Sequence, residues 1–173
     1  MTTIIVNKTC LVADRKLLVT GDEGSKHFRD GPKIKISSCG TFAYGSTGMN
    51  TVSADNADLE ELYRTIVNHV SAGGLTDDAS FKDVCLAAKK RIRKGTLILT
   101  RKKFICIVNG IIAVGDESVD FFAVGTGGTF GTVAMNAGRT PKAAIEFACE
   151  CDTLSGGPVD TIRATQLKAI KVA

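Results

Sequence analysis

Proline is scarce in this chain, histidine scarcer, and no apolar run is long enough to cross a bilayer. Only three prolines occur in 173 residues, 44% of which are apolar, so a folded globular protein is expected rather than a disordered one. His27 and His69 stand apart, and the six cysteines contain no C-x-x-C pair, so no metal site is expected. No apolar stretch approaches the ~18 residues of a spanning helix. The N-terminus lacks the basic segment and apolar core of a signal peptide. Most cysteines sit in apolar strings such as "FICIV" and "FACEC", where thiols pack as small hydrophobes, and a reducing cytoplasm is the expected setting.

One-sided charge is also slight. The 22 Lys and Arg against 18 Asp and Glu leave a net +4, too little to imply a nucleic-acid partner. The basic residues gather in "KKRIRKG", residues 89–95, and continue with Arg101, Lys102 and Lys103. That cluster reads as the solvated end of a helix, where cations suit the helix dipole. A nucleic-acid interface is the competing reading, and it requires salt-sensitive binding. At 18.2 kDa one domain over residues 1–173 is expected, with the 18 glycines marking turns.

What is present is a regular order of periodicities. Residues 3–7 and 10–14 read as short strands around an "NKT" turn, followed by a Gly-rich, charged loop "TGDEGSKHFRDG". "PKIKIS" and "TFAYG" alternate like a hairpin. From there "SADNADLEELYRTIVNHV" places Leu59, Leu62, Ile66 and Val70 at helical spacing, with Ser53 or Asp55 as cap and "GG" at 73–74 as stop. A second helix is expected in "DDASFKDVCLAAKKRIRKG", with Phe81, Val84, Ala88 and Ile92 on one face and Gly95 ending it. Strands return in "TLILTR", "KFICIVNG", "IIAVGD" and "DFFAVG". Helices follow in "GTFGTVAMNAG" and "TPKAAIEFACECD", the latter with Pro141 in its first turn. The closing "PVDTIRATQLKAIKV" alternates again and reads as strands. Strands and helices are thus segregated, which favours an α+β protein of antiparallel sheets with paired helices outside them, such as a four-layer αββα sandwich.

The second residue carries a chemical question. A threonine at a free N-terminus holds a hydroxyl and an amine on one residue, a nucleophile with its own base. Thr2 becomes such a residue if Met1 is removed. Further along, "TTIIV", "LVAD", the lysine of "PKIKIS", "YGSTG", "AVGTGG" before a helix and "DTLSGG" after the last helix occur in order. As a set, over essentially the whole chain, they resemble the β-type proteasome subunits, and especially HslV, the peptidase of the bacterial HslUV protease. The length and the start at "MTT" resemble HslV too, and short proteins of this kind also occur in bacteriophages.

The resemblance implies an N-terminal nucleophile hydrolase fold and a role for each matching position. Thr2 matches the nucleophile, Lys33 the catalytic lysine and Asp14 the aspartate that orients it. Gly48 matches the glycine whose N–H forms the oxyanion hole, and Asp152 and Ser155 match the pair near the N-terminal amine. Thr126 stands where the family commonly has serine and retains a hydroxyl. Asp22, in "TGDEG", is a rival for the aspartate role; Asp14 is preferred because "CLVA" reads as the buried strand that delivers it.

These implications add up to a threonine-type endopeptidase subunit of a self-compartmentalising ring protease. It would form stacked hexameric or heptameric rings and take unfolded polypeptide as substrate. The resemblance implies no cofactor in this chain, since ATP would enter only through a partner ATPase unfoldase. The alternative is an inactive proteasome-fold assembly or binding subunit that keeps Met1, because a Thr2 nitrogen locked in a peptide bond is no base. Amidohydrolases also use N-terminal nucleophiles, so a small amide substrate stays open.

Each residue also has a plain reading. Lys33 on an alternating strand is ordinarily solvent-facing, and Asp14 and Asp152 at element ends are ordinarily turn residues. "GTGG" opening a helix suggests a phosphate site, but no P-loop lysine follows it.

Overall fold

A computed structural model of the chain describes residues 2–20, 26–47, 56–73, 79–92 and 95–170. Met1, Asp22, Gly48 and the capping candidates Ser53 and Asp55 lie outside the described residues. In chain order the first strands are β1 (Thr3–Asn7), β2 (Cys10–Asp14), β3 (Lys16–Thr20), β4 (Lys26–Asp30), β5 (Ile34–Ile36) and β6 (Phe42–Ser46). Helices α1 (Asn56–Ser71) and α2 (Ala79–Arg91) follow. Strands β7 (Thr96–Thr100), β8 (Phe104–Val108), β9 (Ile111–Gly115) and β10 (Phe121–Gly125) come next. Then come α3 (Gly128–Asn136), α4 (Pro141–Cys151) and β11 (Val159–Arg163). Every strand pairing described is antiparallel, in sheets ordered β10-β1-β2-β11 and β5-β6-β7-β8-β9, with β3-β4 a separate hairpin. The protein is therefore α+β.

Both faces of the central strands are buried, and the period of two sorts their side chains. On β1, Ile4 and Val6 enter the core between the larger sheets, while Ile5 points to α3 and α4. On β2, Leu11 and Ala13 face the first way and Val12 the second. In the other sheet Leu97, Leu99 and Phe104 face the inter-sheet core, and Ile98, Ile105 and Ile107 face α1 and α2. Phe104 fills the space that glycine leaves on β9: a Cβ at Gly115 would lie 2.0 Å from its ring.

The helices form where the periodicity places them. Leu59, Tyr63, Ile66, Val67 and Val70 form the buried stripe of α1, with Leu62 partly buried beside it. On α2, Phe81 and Val84 pack against the same core, as does Ile92 just beyond the helix; the Ala88 side chain lies outside the described residues. Thr140 caps α4 by accepting a hydrogen bond from the Ala143 N–H, and Pro141 follows it. The Lys103 ammonium donates to the Val70 carbonyl at the end of α1 (3.2 Å), so part of the basic cluster serves a helix end.

Two segments differ from the sequence reading. The Gly-rich loop holds strand β4, and the preceding "KLLVT" is its partner β3. The charged residues that obscured these strands anchor the hairpin: Arg15 bonds Asp30 (2.9 Å) and Asp160 (3.2 Å). The C-terminal alternation gives one strand, β11, followed by a 3-10 turn over Ala164–Gln166, in which the Gln166 side chain accepts from the Arg163 N–H (2.6 Å).

Phe104 is fully buried between the sheets. Phe104→Ala is expected to lower stability by about 3–5 kcal/mol, read as a fall in the urea midpoint at unchanged slope.

Candidate active site

The first described residues lie against the end of β10. Thr3 pairs with Gly125, and the Thr126 N–H donates to the Thr2 carbonyl (3.0 Å). This approach requires glycine: Gly125 has φ +104°, and a Cβ there would sit 1.6 Å from the Thr2 oxygen. Thr2 itself is 3% exposed.

Asp14, the last residue of β2, is completely buried and used on both oxygens. Oδ1 accepts from the Thr3 N–H (2.7 Å), and Oδ2 accepts from the Lys33 ammonium (2.7 Å) and the Gly156 N–H (3.0 Å). Lys33, immediately before β5, is 1% exposed. Burial holds its ammonium below the ordinary lysine value, against the opposing pull of Asp14.

A second carboxylate lies at the end of α4. Asp152 closes that helix through its own N–H to the Ala148 carbonyl (2.8 Å). Its Oδ2 accepts from Thr126 Oγ1 (2.6 Å) and Ser155 Oγ (2.7 Å), and its Oδ1 from the Leu154 N–H (3.1 Å). Burial raises its pKa, but those hydrogen bonds outweigh burial and hold the carboxyl below its ordinary value. Ser155 Oγ also lies 2.6 Å from Thr3 Oγ1. Here too glycine makes the contact possible, because a Cβ at Gly127 would be 2.2 Å from Thr3 Oγ1 and 3.0 Å from Ser155 Oγ.

The loop carrying Asp152 and Ser155 is tied to the root of the β3–β4 hairpin. The Arg15 and Lys16 N–H groups donate to the Gly156 carbonyl (3.1 and 2.9 Å), and the Lys16 ammonium to the Thr153 carbonyl (2.6 Å). Burial, with Asp14 adding to it, pushes the thiol of Cys149 up to about 11.

Thr2, Asp14, Lys33, Thr126, Asp152 and Ser155 thus come together from distant parts of the chain, while Gly48 and Asp22 lie outside the described residues. The sequence reading missed Thr3, whose amide and hydroxyl both enter the network. The signal was the doubled threonine of "MTTIIV". It also missed the close approaches at Gly125 and Gly127, written as "GTGG". Among the described residues no group of His, Cys, Asp and Glu is disposed to hold a metal ion.

No protein-family profile and no curated protein matches the sequence. Solved structures do match. The chain is similar to eukaryotic HslV from Trypanosoma brucei, with TM-score 0.62 and 18% identity over 93% of this chain and 98% of that one. It is also similar to Anbu from Hyphomicrobium sp. strain MC1, with TM-score 0.59 and 13% identity over 93% and 81% of the two chains. Thiobacillus denitrificans BPH matches with TM-score 0.60 and 16% identity over 94% and 96%. At these identities the likeness is one of fold. The chain has the fold seen in HslV and Anbu.

Asp14→Asn leaves the buried Lys33 ammonium without its charge partner and is expected to cost about 3–5 kcal/mol in denaturant unfolding. Asp152 titrates differently. Its folded pKa lies below the ordinary 3.8, so its contribution is complete above that value and is lost as pH falls through the folded one. The stability gap between the native chain and Asp152→Asn is therefore expected to stay constant near neutral pH and shrink below about pH 3.8.

Proposed function

We propose that the chain is a threonine-type endopeptidase subunit that cuts peptide bonds with Thr2 after removal of Met1. The observation that carries this reading is the clamped Thr2–Thr3 peptide, bonded to Thr126 on one side and to Asp14 on the other, with Lys33 held by the same Asp14. The three buried cores, lying between a helix pair and a sheet, between two sheets, and between a sheet and a helix pair, are read as the four-layer αββα sandwich.

In this reading the freed α-amine, with an ordinary pKa of about 7.7–8.0, takes the proton of the Thr2 hydroxyl as it attacks the substrate carbonyl. The amine passes that proton to the leaving nitrogen, and water then hydrolyses the ester left on Thr2. Lys33 disfavours protonation of the amine by like-charge repulsion, and Asp14 fixes Lys33. Gly48 supplies an N–H to the oxyanion. Thr126, Asp152 and Ser155 order the amine's surroundings. The substrate is unfolded polypeptide, reached inside stacked hexameric or heptameric rings fed by a separate ATPase in the cytoplasm. Self-association of this kind is supported by the shared fold with HslV. No helix among the described residues is long and apolar enough to cross a membrane.

Intact mass before and after treatment with a peptide epoxyketone, which consumes both the hydroxyl and the amine of an N-terminal threonine, tests the proposal. The expected result is loss of Met1 and one adduct per chain, absent in Thr2→Ala. Retained Met1 with no adduct would leave the inactive assembly subunit as the better account.

A further inference from the structure

We infer that Thr3 is a positioning residue for the Thr2 nucleophile, acting through Ser155 and Asp152. The inference rests on the peptidase reading and extends it to a residue not among those matched to the family.

The argument begins with hydrogen-bond direction. An ionised carboxylate only accepts, so Ser155 and Thr126 must each donate their single hydroxyl proton to Asp152. Ser155 has then no proton left for Thr3. In the 2.6 Å contact between the two hydroxyls Thr3 Oγ1 is therefore the donor and Ser155 Oγ the acceptor. The chain runs one way, Thr3 to Ser155 to Asp152, and the carboxylate at its end sets the rotor of each hydroxyl. Thr3 is completely buried, so no water competes for that proton.

Three bonds now act on one peptide unit. The Thr2 carbonyl accepts from the Thr126 N–H, the Thr3 N–H donates to Asp14, and the Thr3 hydroxyl donates to Ser155. The first two fix the peptide plane between residues 2 and 3. The third stops that plane from sliding along β1, because it ties the next side chain to the loop after α4. A peptide plane held in this way fixes the Thr2 Cα and, with it, the directions from which hydroxyl and amine meet a substrate. The fit is tight on the remaining side, where Gly127 lacks the Cβ that would collide with Thr3 Oγ1. Valine removes the bond but puts a methyl where the hydroxyl sits 2.6 Å from Ser155 Oγ, so Thr3→Ala, which only deletes atoms, is measured beside it.

The experiment measures the epoxyketone adduct by intact mass over time at several probe concentrations, separating the rate at saturation from the apparent affinity. Thermal midpoints are recorded for the same proteins. Thr3→Val is expected to slow labelling at saturation by about ten- to a hundredfold, with little change in affinity. Thr3→Ser is expected to recover most of the loss, even though the missing methyl lowers its thermal midpoint. If Thr3→Val does not fold, Thr3→Ser and Thr3→Ala give the same comparison, since they differ by the hydroxyl oxygen alone. Labelling of Thr3→Val at the native rate, or of Thr3→Ser no faster than of the variant without the hydroxyl, would overturn the assignment while leaving the peptidase reading intact. No adduct on the native chain would overturn both.

Discussion

The buried ion pair of Asp14 and Lys33 is the constraint on which the rest of the site depends. Two opposite charges 2.7 Å apart, 0% and 1% exposed, have given up their water and retain only fixed partners. Such a pair adds little net stability compared with well-packed apolar side chains, but losing either member is costly. What it contributes here is placement. One carboxylate gathers the start of β1 through the Thr3 N–H, the approach to β5 through Lys33, and the loop after α4 through the Gly156 N–H. Because Asp14 ends β2, which is hydrogen-bonded to β1 and β11, these segments are referred to the middle of one sheet.

That convergence works only because two positions carry no side chain. Gly125 lets β10 lie against the Thr2 carbonyl, and Gly127 lets the turn into α3 lie against Thr3 and Ser155. A site assembled from backbone contacts this close leaves little room to shift, since interiors are packed as densely as crystals. The cores above and below it hold the sheets at fixed spacing. The strict alternation of Ile4, Ile5 and Val6 between two of those cores means that a one-residue slip of β1 would exchange its buried faces. The register that puts Thr3 opposite Gly125 is thus set by hydrophobic burial of the three residues that follow it on β1.

The legibility of the chain follows the same physics. Strands β1 and β2 were readable because alternation and an intervening turn coincide with their ends, and α1 because its apolar stripe repeats at helical spacing. The β3–β4 hairpin was not, since Lys26, Arg29 and Asp30 make β4 polar and its stabilising partners, Arg15 with Asp30 and Asp160, come from elsewhere in the chain. The end of the chain misled for the opposite reason: alternation continued past Arg163, but the Gln166 side chain turns the backbone there. Asp14 and Lys33 were singled out by their match to a family rather than by local pattern, which favoured a turn and a solvent-facing lysine. Their burial against each other is a tertiary fact that no window of sequence contains. Thr3 escaped notice because a threonine beginning a strand is ordinary until its neighbours in space are known.

The two carboxylates are neutralised by different means, and the difference matters for an amine at Thr2, the group the proposed chemistry needs. Asp14 faces an ammonium, whereas Asp152 is satisfied by two hydroxyls and the Leu154 N–H, all neutral donors. A neighbouring amine therefore experiences opposing influences. The negative charge of Asp152 favours the ammonium form, and the positive charge of Lys33 favours the neutral one. Neither acts at full strength, because Asp14 offsets Lys33 and the three hydrogen bonds spread the charge on Asp152. The two influences oppose each other at the amine that the proposed chemistry uses as its base. A lysine alone would lower the amine's basicity, and a carboxylate alone would keep it protonated. In the proposed chemistry, placing both around one clamped peptide is what would let a single residue provide the nucleophile and its base.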